Sequence, residues 1–295
     1  MLSPVVAGVD GSAASLVAAA WAAHEAVRRG RALRLLHARD GQSRRGEPPI
    51  ADAARRTLAQ RVLRQAEERV LAACPGVRLY DDQVEGPATD ALVKAAEDAD
   101  PLVLGSRGAG RITGLLAGSV ALGVVARATH PVVLVRADAE GPYDEPAGLP
   151  RDGRRDVVLG LDVTEPCDEV IAFAFESARL RRARLRVLHA WRAPGPFPPG
   201  PGEGGLPGDP RRAGEWLGFL SSVLRVWRDK YPDVVVLEMA VEGKPSGALL
   251  RAASAADLLV VGHRLTDRPR VPRTGPVTHA VLQQAGCPVA VVPHF

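Results

Sequence analysis

Residues 84–135 read VEGPATDALVKAAEDADPLVLGSRGAGRITGLLAGSVALGVVARATHPVVLV, and residues 241–292 match them at 21 of 52 positions without a gap. A second gap-free pair, 5–38 and 157–190, shares 13 of 34 positions. The offset between the copies rises from 152 to 157 residues, so five residues were gained between the two pairs. Internal repeats of this length indicate two copies of one fold.

Each copy alternates short apolar runs with amphipathic segments. In the first copy the apolar runs predict strands at 4–9, 33–38, 77–84, 101–105 and 132–136. Helical periodicity occurs between them, at 13–29, 51–73, 88–99 and 119–128. Continuous Val and Leu runs are typical of strands covered on both faces, and helical crossovers make neighbouring strands parallel. We predict an α/β protein with two tandem, doubly wound, five-stranded parallel sheets.

Length and composition agree with two domains, which we place at 1–140 and 153–295. The chain has 295 residues, of which 46% are hydrophobic, enough for two cores of ordinary size. A Gly-, Pro- and charge-rich linker separates the copies at 138–155. Residues 193–210 hold seven Pro and six Gly, so we expect a solvated loop, with a Pro-rich recognition segment as the alternative.

Charge and cysteine usage argue against several classes of protein. A net charge of +4 is a weak signal for nucleic-acid binding, and the three cysteines form no CxxC pair. No apolar run has the roughly 20 residues that span a bilayer, and no cleavable leader precedes the first strand. We expect a cytoplasmic protein that binds neither nucleic acid nor membrane.

Two motifs follow strands whose carboxyl ends form the ligand-binding edge of an open parallel sheet. The first is Asp10-Gly11-Ser12, where Ser12 suits a helix cap and Asp10 suits either a ribose hydroxyl or a second cap. The second runs from Gly105 through Gly108 to Gly118-Ser119. Glycines let backbone N–H groups approach a polyphosphate, and a helix N-terminus attracts anions. An ordinary turn is the alternative, but the two motifs together favour phosphate binding.

The segments VVAGVDGS (5–12), LRLLHA (33–38) and 105–135 resemble the universal stress protein family in its tandem two-domain form. The pattern Gly-x2-Gly-x9-Gly-Ser in the last segment marks the ATP-binding members of that family. The resemblance implies the adenine-nucleotide alpha-hydrolase-like fold and a regulatory or sensing role in stress response. It also implies bound ATP, and the nucleotide implies Mg²⁺ or Mn²⁺ at its phosphates. No catalytic residue is expected, and no cluster of His, Cys and Asp in the sequence suits a metal ion by itself.

The resemblance also implies a role for each residue of the motifs. Asp10 would hold the ribose or adenine side, while Val9 and the backbone of Ala38 would line the adenine. The glycines of the second motif, with Ser119 and Val120, would bind the phosphates. Arg107 would either add positive charge there or remain solvated. The implied ATP contacts are Val9, Asp10, Ala38, Gly105, Arg107, Gly108, Gly118, Ser119 and Val120.

The second copy keeps the frame of this motif but changes its chemistry. The retained positions are Asp162, Ala190, Gly262 and Gly275. Leu265 replaces the second glycine, and Pro276 replaces the serine and so removes a hydroxyl and an N–H donor. We therefore expect about one ATP per chain, with an adenosine-like ligand in the second copy left open.

Other polar residues have simpler interpretations. His37 and His189 are expected to be satisfied histidines of the core or rim, and His263, Asp267 and His279 are weak candidates for a metal site. Clustered arginines after the first helix of each copy are expected on a solvated rim, with a polyanion-binding face as the alternative. They are residues 28, 29, 31, 34, 179, 181, 182, 184 and 186.

Two further functions and two assemblies stay open at this stage. A slow ATPase or ATP-dependent transferase is one alternative function, although no evident general base faces the γ-phosphate. A nucleotide-free scaffold that binds a partner is the other. Strands 132–136 and 289–293 are expected to pair within one chain, and a homodimer is possible in addition.

Overall fold

The computed structural model describes residues 2–39, 49–106, 118–137, 156–192, 210–265 and 274–295. The first copy contains β1 Val5–Gly8, α1 Ala13–Arg29, β2 Leu33–Arg39, α2 Pro49–Ala73, β3 Leu79–Glu85, α3 Ala88–Ala96, β4 Leu102–Ser106, α4 Ser119–Val125 and β5 Val132–Arg136. The second contains β6 Asp156–Gly160, α5 Asp168–Arg181, β7 Arg184–Trp191, α6 Pro210–Lys230, β8 Val236–Glu242, α7 Pro245–Ala252, β9 Leu258–Arg264, α8 Pro276–Gln284 and β10 Val289–His294. The predicted α/β class is confirmed; the linker 138–155 and all but the last residue of the 193–210 segment lie outside the described residues.

The ten strands of the described residues belong to one sheet, in the order β3-β2-β1-β4-β5-β10-β9-β6-β7-β8. Strands within a copy are parallel, whereas β5 and β10 pair antiparallel, with Ala290 opposite Val133. The predicted pairing of these two strands within one chain is therefore confirmed. It covers the inner edge of each five-stranded sheet, which would otherwise present unpaired N–H and C=O groups.

Alternation along the strands produces a core on each face of the sheet. Val5 and Ala7 belong to one hydrophobic cluster, and Val6, between them, belongs to the other. Each cluster contains residues of both copies, so the cores continue across the β5–β10 junction. Helix α1 joins the first cluster through an Ala-rich segment; the Ser12 side chain caps its start and Gly30, at φ 63°, ends it.

A buried ion cluster joins α1 of the first copy to α5 of the second. Glu25 accepts hydrogen bonds from Arg29 at 2.7 Å and from Arg181 at 2.6 Å, and all three side chains are at most 4% exposed. The two arginines occupy equivalent repeat positions, and each guanidinium lies over an aromatic ring of the other copy. Arg29 lies 5.1 Å from the Phe173 ring centroid, and Arg181 lies 5.6 Å from that of Trp21.

The prediction of a solvated rim was wrong for Arg29 and Arg181. The two helices pack against each other and exclude water, and Glu25 supplies the negative charge that makes the burial of two guanidinium groups tolerable. Arg31 and Arg184, near the starts of β2 and β7, are partly exposed. Arg31 pairs with Asp100, and Arg184 pairs with Asp156.

Candidate functional site

A cavity of about 280 Å³ opens at the carboxyl ends of β1 and β4. After β1 the chain continues to β2 on one side, and after β4 it continues to β5 on the other side. Open α/β sheets bind ligands at such a switch in strand order. The cavity brings together seven of the predicted contacts: Val9, Asp10, Ala38, Gly105, Gly118, Ser119 and Val120. The other two, Arg107 and Gly108, lie outside the described residues.

Asp10 organises the turn that leads into α1. Its Oδ1 accepts hydrogen bonds from the Ser12 N–H at 2.9 Å and from the Ser12 hydroxyl at 2.6 Å. Ser12 Oγ in turn accepts from the Ser15 N–H at 3.2 Å, so Ser12 caps the helix and Asp10 orients the cap. Burial acts to raise the pKa of Asp10, but hydrogen bonds from Ser12 and Ser15 outweigh it and lower that pKa. The carboxylate is therefore an ionised hydrogen-bond acceptor at the rim of the cavity.

The two described glycines of the motif have different roles. A Cβ on Gly105 would lie 2.5 Å from the backbone C and O atoms of Ala14, so α1 can approach β4 only over a glycine. This packing requirement adds to the phosphate role predicted for Gly105. By contrast, a Cβ on Gly118 would meet no described atom within 4 Å, and Gly118 has an extended backbone at φ −61°. A side chain at Gly118 would occupy open space at the cavity.

The apolar walls of the cavity were not predicted from the sequence. Leu92 of α3 and Leu104 of β4 line the cavity with apolar side chains. A Cβ on Gly8 would clash with both, lying 2.8 Å from Leu92 and 2.6 Å from Leu104. A signal for part of this wall was available, because Gly8 and Leu92 are identical in the repeat, at Gly160 and Leu249.

A second cavity, of about 420 Å³, occupies the equivalent place in the second copy. Its strand tip repeats that of the first copy: Asp162 Oδ1 accepts from the Thr164 N–H at 3.0 Å and from the Thr164 hydroxyl at 2.7 Å. Ala190 and Gly262 also line it, as the equivalents of Ala38 and Gly105.

Two positions of the repeated motif, next to lining residues of this second cavity, have a missing or an engaged backbone donor. Pro276 is the first residue of α8 and has no N–H. The N–H of Leu265, at the position of the second glycine, donates to the His294 carbonyl at 2.7 Å. Glu165 and Arg264 form an ion pair at the mouth, where the first copy has Ala13 and Arg107 in sequence.

Histidines support the strand tips, and no metal cluster is formed by the described residues. His37 Nδ1 lies 2.7 Å from the Val9 carbonyl, and His189 Nδ1 lies 3.1 Å from that of Leu161. No group of three or more His, Cys, Asp or Glu side chains suits a metal ion in the described ranges, and the candidate Asp267 falls outside them.

No helix in the same ranges is long and apolar enough to cross a membrane.

Comparison with known proteins gives matches along nearly the whole chain. The model of the universal stress protein family matches residues 1–136 and 153–293. A universal stress protein of Mycobacterium tuberculosis is 30% identical over 307 residues, covering 97% of this chain and 95% of its own. The crystal structure of a universal stress protein from Archaeoglobus fulgidus superposes with a TM-score of 0.72 at 17% identity, covering 99% of both chains. A universal stress protein solved in complex with cAMP is 30% identical over 46% of this chain and 98% of its own, with a TM-score of 0.38.

Proposed function

This chain belongs to the universal stress protein family, and from that premise we propose that it binds ATP in the first cavity and acts as a regulator or sensor in stress response. One observation carries the proposal. The first cavity gathers Asp10 and Gly118-Ser119, more than 100 residues apart in sequence, at one switch point of the sheet. The family motif and the fold thus converge on the same place.

The two ends of the first cavity suit different parts of a nucleotide. Apolar side chains, among them Leu36 and Leu92, offer a surface for a purine ring, and the Asp10 carboxylate accepts from ribose hydroxyls. At the other end, Gly118 caps α4 without a side-chain hydrogen bond. The first N–H groups of that helix can therefore donate to phosphate oxygens.

A divalent cation would enter this site with the phosphates. Mg²⁺ at nucleotides is usually held by phosphate oxygens, waters and one or two protein oxygens. The Ser119 hydroxyl, which lines the first cavity, is a suitable protein oxygen. The cation would neutralise phosphate charge that the described lining residues do not balance.

A regulatory role fits the first cavity better than catalysis does. Among its described lining residues, Asp10 is the one carboxylate, and no His, Cys or Lys accompanies it. The lowered pKa of Asp10 makes it a weak general base. A slow ATPase and a nucleotide-free scaffold remain the alternatives. A cytoplasmic location and a homodimer also remain predictions from the sequence.

We further propose that the two copies have divided their roles. Residues 1–140 would form the ATP-binding domain, and 153–295 a domain of the same fold with an altered pocket. Pro276 and the engaged N–H of Leu265 remove two of the donors that a phosphate chain would use. Charge-assisted hydrogen bonds contribute about 1.5–3 kcal/mol each, so their loss lowers ATP affinity by orders of magnitude.

The substitution Gly118→Val tests the proposal, with Gly275→Val as its matched control in the second copy. Each glycine precedes a helix, has φ near −60°, and would carry a Cβ with no described atom within 4 Å of it. Both variants should therefore fold with unchanged melting temperatures. We expect isothermal titration calorimetry to show at least about a hundredfold loss of ATP affinity for Gly118→Val, equal to about 2.7 kcal/mol, and none for Gly275→Val.

Two outcomes of this experiment would contradict the proposal. Unchanged ATP affinity in Gly118→Val would place the nucleotide elsewhere. Phosphate release at enzyme-like rates that disappears in Gly118→Val would favour the ATPase alternative.

A further inference from the structure

We propose that the second copy has a further binding site, at the edge of the sheet where its strands begin, for a small zwitterion of the class of the acidic amino acids. The site is a cavity of about 740 Å³ between the end of α5, the start of β7 and the turn before β8, which we call the amino-edge cavity. Small-molecule pockets have volumes of about 300–1,000 Å³. The first and second cavities lie at the opposite edge of the sheet, so the proposal does not depend on nucleotide binding.

Four charged side chains line the amino-edge cavity, and none of their positions is charged in the first copy. The four are Arg179, Arg182, Arg184 and Asp233. Their equivalents in the repeat are Val27, Gly30, Ala32 and Gly76. Strands β2 and β3 pair in the same register as β7 and β8, which supports this assignment. The first copy forms the same elements without these charges, so the fold itself does not require them.

The fold explains Arg184 but not Arg182. Asp156 accepts hydrogen bonds from Nε and Nη2 of Arg184 at 2.7 and 2.9 Å. Arg182 follows α5 at φ 50°, in the left-handed region that Gly30 occupies at φ 63° after α1. It is the one non-glycine residue with a positive φ in the described ranges. Side chains are disfavoured in this region, and residues held there are concentrated at functional sites.

The amino-edge cavity contains opposite charges that do not neutralise each other. Arg182 and Asp233 form no ion pair or hydrogen bond through their side chains with any described residue. Arg179 pairs with Glu176 at 3.8 Å, but both side chains are about half exposed, so this pair contributes little. A purely anionic ligand would meet the carboxylate, and a purely cationic ligand would meet the guanidinium groups. An acidic amino acid suits both, with its carboxylates on the arginines and its ammonium group on Asp233.

The turn that carries Asp233 is held against α5 by aromatic packing. The Val234 N–H donates to the Tyr231 carbonyl at 3.1 Å and closes this turn. The Tyr231 ring packs on Phe175 of α5 with centroids 5.5 Å apart, and the Arg179 guanidinium lies 6.0 Å from the Tyr231 centroid. Helix α5 therefore fixes the arginines directly and the carboxylate through Tyr231. Groups that are already in place lose less entropy when a ligand binds.

Two substitutions in the full-length chain test the amino-edge cavity. Arg182→Gly introduces the residue of the first copy and removes a disfavoured φ, so it should not lower the melting temperature. Asp233→Asn removes the charge of an exposed carboxylate and keeps its shape. Arg225→Ala, at an exposed arginine of α6 outside the cavity lining, is the control for net charge.

The probes are L-glutamate and L-aspartate, with glutarate as the anion that lacks an ammonium group. NMR titration is performed at an ionic strength of about 0.05 M, because salt screens exposed charges. We expect one amino acid per chain with a Kd of about 1 mM or tighter, and about a tenfold loss in Arg182→Gly and in Asp233→Asn but not in Arg225→Ala. Glutarate should bind the wild type more weakly than glutamate does, and Asp233→Asn should abolish that difference. No binding of either amino acid, unchanged affinity in either cavity variant, or glutarate as tight as glutamate would overturn the proposal.

A competition experiment separates this site from the nucleotide cavities. Glutamate or aspartate should bind equally well with and without one equivalent of Mg²⁺-ATP, and equally well to Gly118→Val. Displacement by that equivalent of ATP would place the amino acid in a nucleotide cavity and overturn the proposal. ATP binding to Arg182→Gly reports separately on the first cavity, so failure of one proposal is distinguishable from failure of the other.

Discussion

Replacing Glu25 by Gln should destabilise the whole chain, because this residue holds two buried arginines of different copies together. Burial acts to raise the pKa of Glu25, but the charges of Arg181 and then Arg29 outweigh it and lower that pKa from 4.5 to about 2. A difference of this size corresponds to about 3 kcal/mol of stability at neutral pH. Removing one partner of a buried ion pair costs a similar amount, about 3–5 kcal/mol.

Urea denaturation at pH 7 measures this loss, and Glu176→Gln is the control. Glu176 pairs with Arg179 at 3.8 Å, but both side chains are about half exposed, at 45% and 51%. Exposed pairs contribute about 0–1 kcal/mol, so the control should unfold nearly as the wild type does. A loss below about 1 kcal/mol for Glu25→Gln would refute the role assigned to the buried cluster.

The pH dependence of the free energy of unfolding tests the role of Glu25 in a second, independent way. Because the pKa of Glu25 is lower in the folded state, its contribution is complete above pH 4.5 and is lost as pH falls towards about 2. The difference between wild type and Glu25→Gln should therefore be largest above pH 4.5 and shrink below it. A difference that stays constant from pH 6 down to pH 3 would show that the charge of Glu25 is not the stabilising feature.

Three further predictions concern single positions. Gly105→Ala should destabilise the chain by about 1–3 kcal/mol in urea, since its Cβ meets the Ala14 backbone, whereas Gly118→Ala should be neutral; equal effects would contradict the packing role. Leu265→Gly alone should not create a second tight ATP site in calorimetry. The N–H at this position remains hydrogen-bonded to the His294 carbonyl, and Pro276 has no N–H. A second tight site would show that the Leu side chain was the obstacle. The part-exposed thiol of Cys167 should react with a thiol reagent before the other two, although slowly at neutral pH, because burial and its hydrogen bond to Glu169 raise its pKa. Cys167→Ser should remove this first thiol, and two equally fast thiols would contradict the burial of the other cysteines. Those are Cys74 and Cys287, and burial raises the pKa of Cys287 to about 12.

The sequence predicted the elements well where their patterns are local. Continuous Val and Leu runs located β5 at its observed bounds, and helical periodicity with the Ser12 cap located α1 at 13–29. The repeat then supplied the topology, since each copy had to contain the same five strands. Boundaries moved by a few residues where a helix ends without a glycine, as α3 does at Ala96 rather than at residue 99.

The polar part of the first cavity was predictable, but its walls and the contact between copies were not. Asp10 follows β1 and Gly118 precedes α4, so their place at the edge of the sheet follows from the order of the elements along the chain. Leu92 reaches the cavity from a helix on one face of the sheet, which depends on how that helix packs. Burial of Arg29 and Arg181 depends on the crossing of α1 and α5, and no local pattern encodes that crossing.

The stoichiometry of ATP binding to the wild-type chain tests the central claim most directly. Calorimetric titration of the nucleotide-free protein with Mg²⁺-ATP should show one tight site per chain, because Ser119 keeps the N–H and the hydroxyl that the second copy has lost at Pro276. Two equally tight sites would contradict the division of roles between the copies, and the absence of any tight site would contradict ATP binding itself.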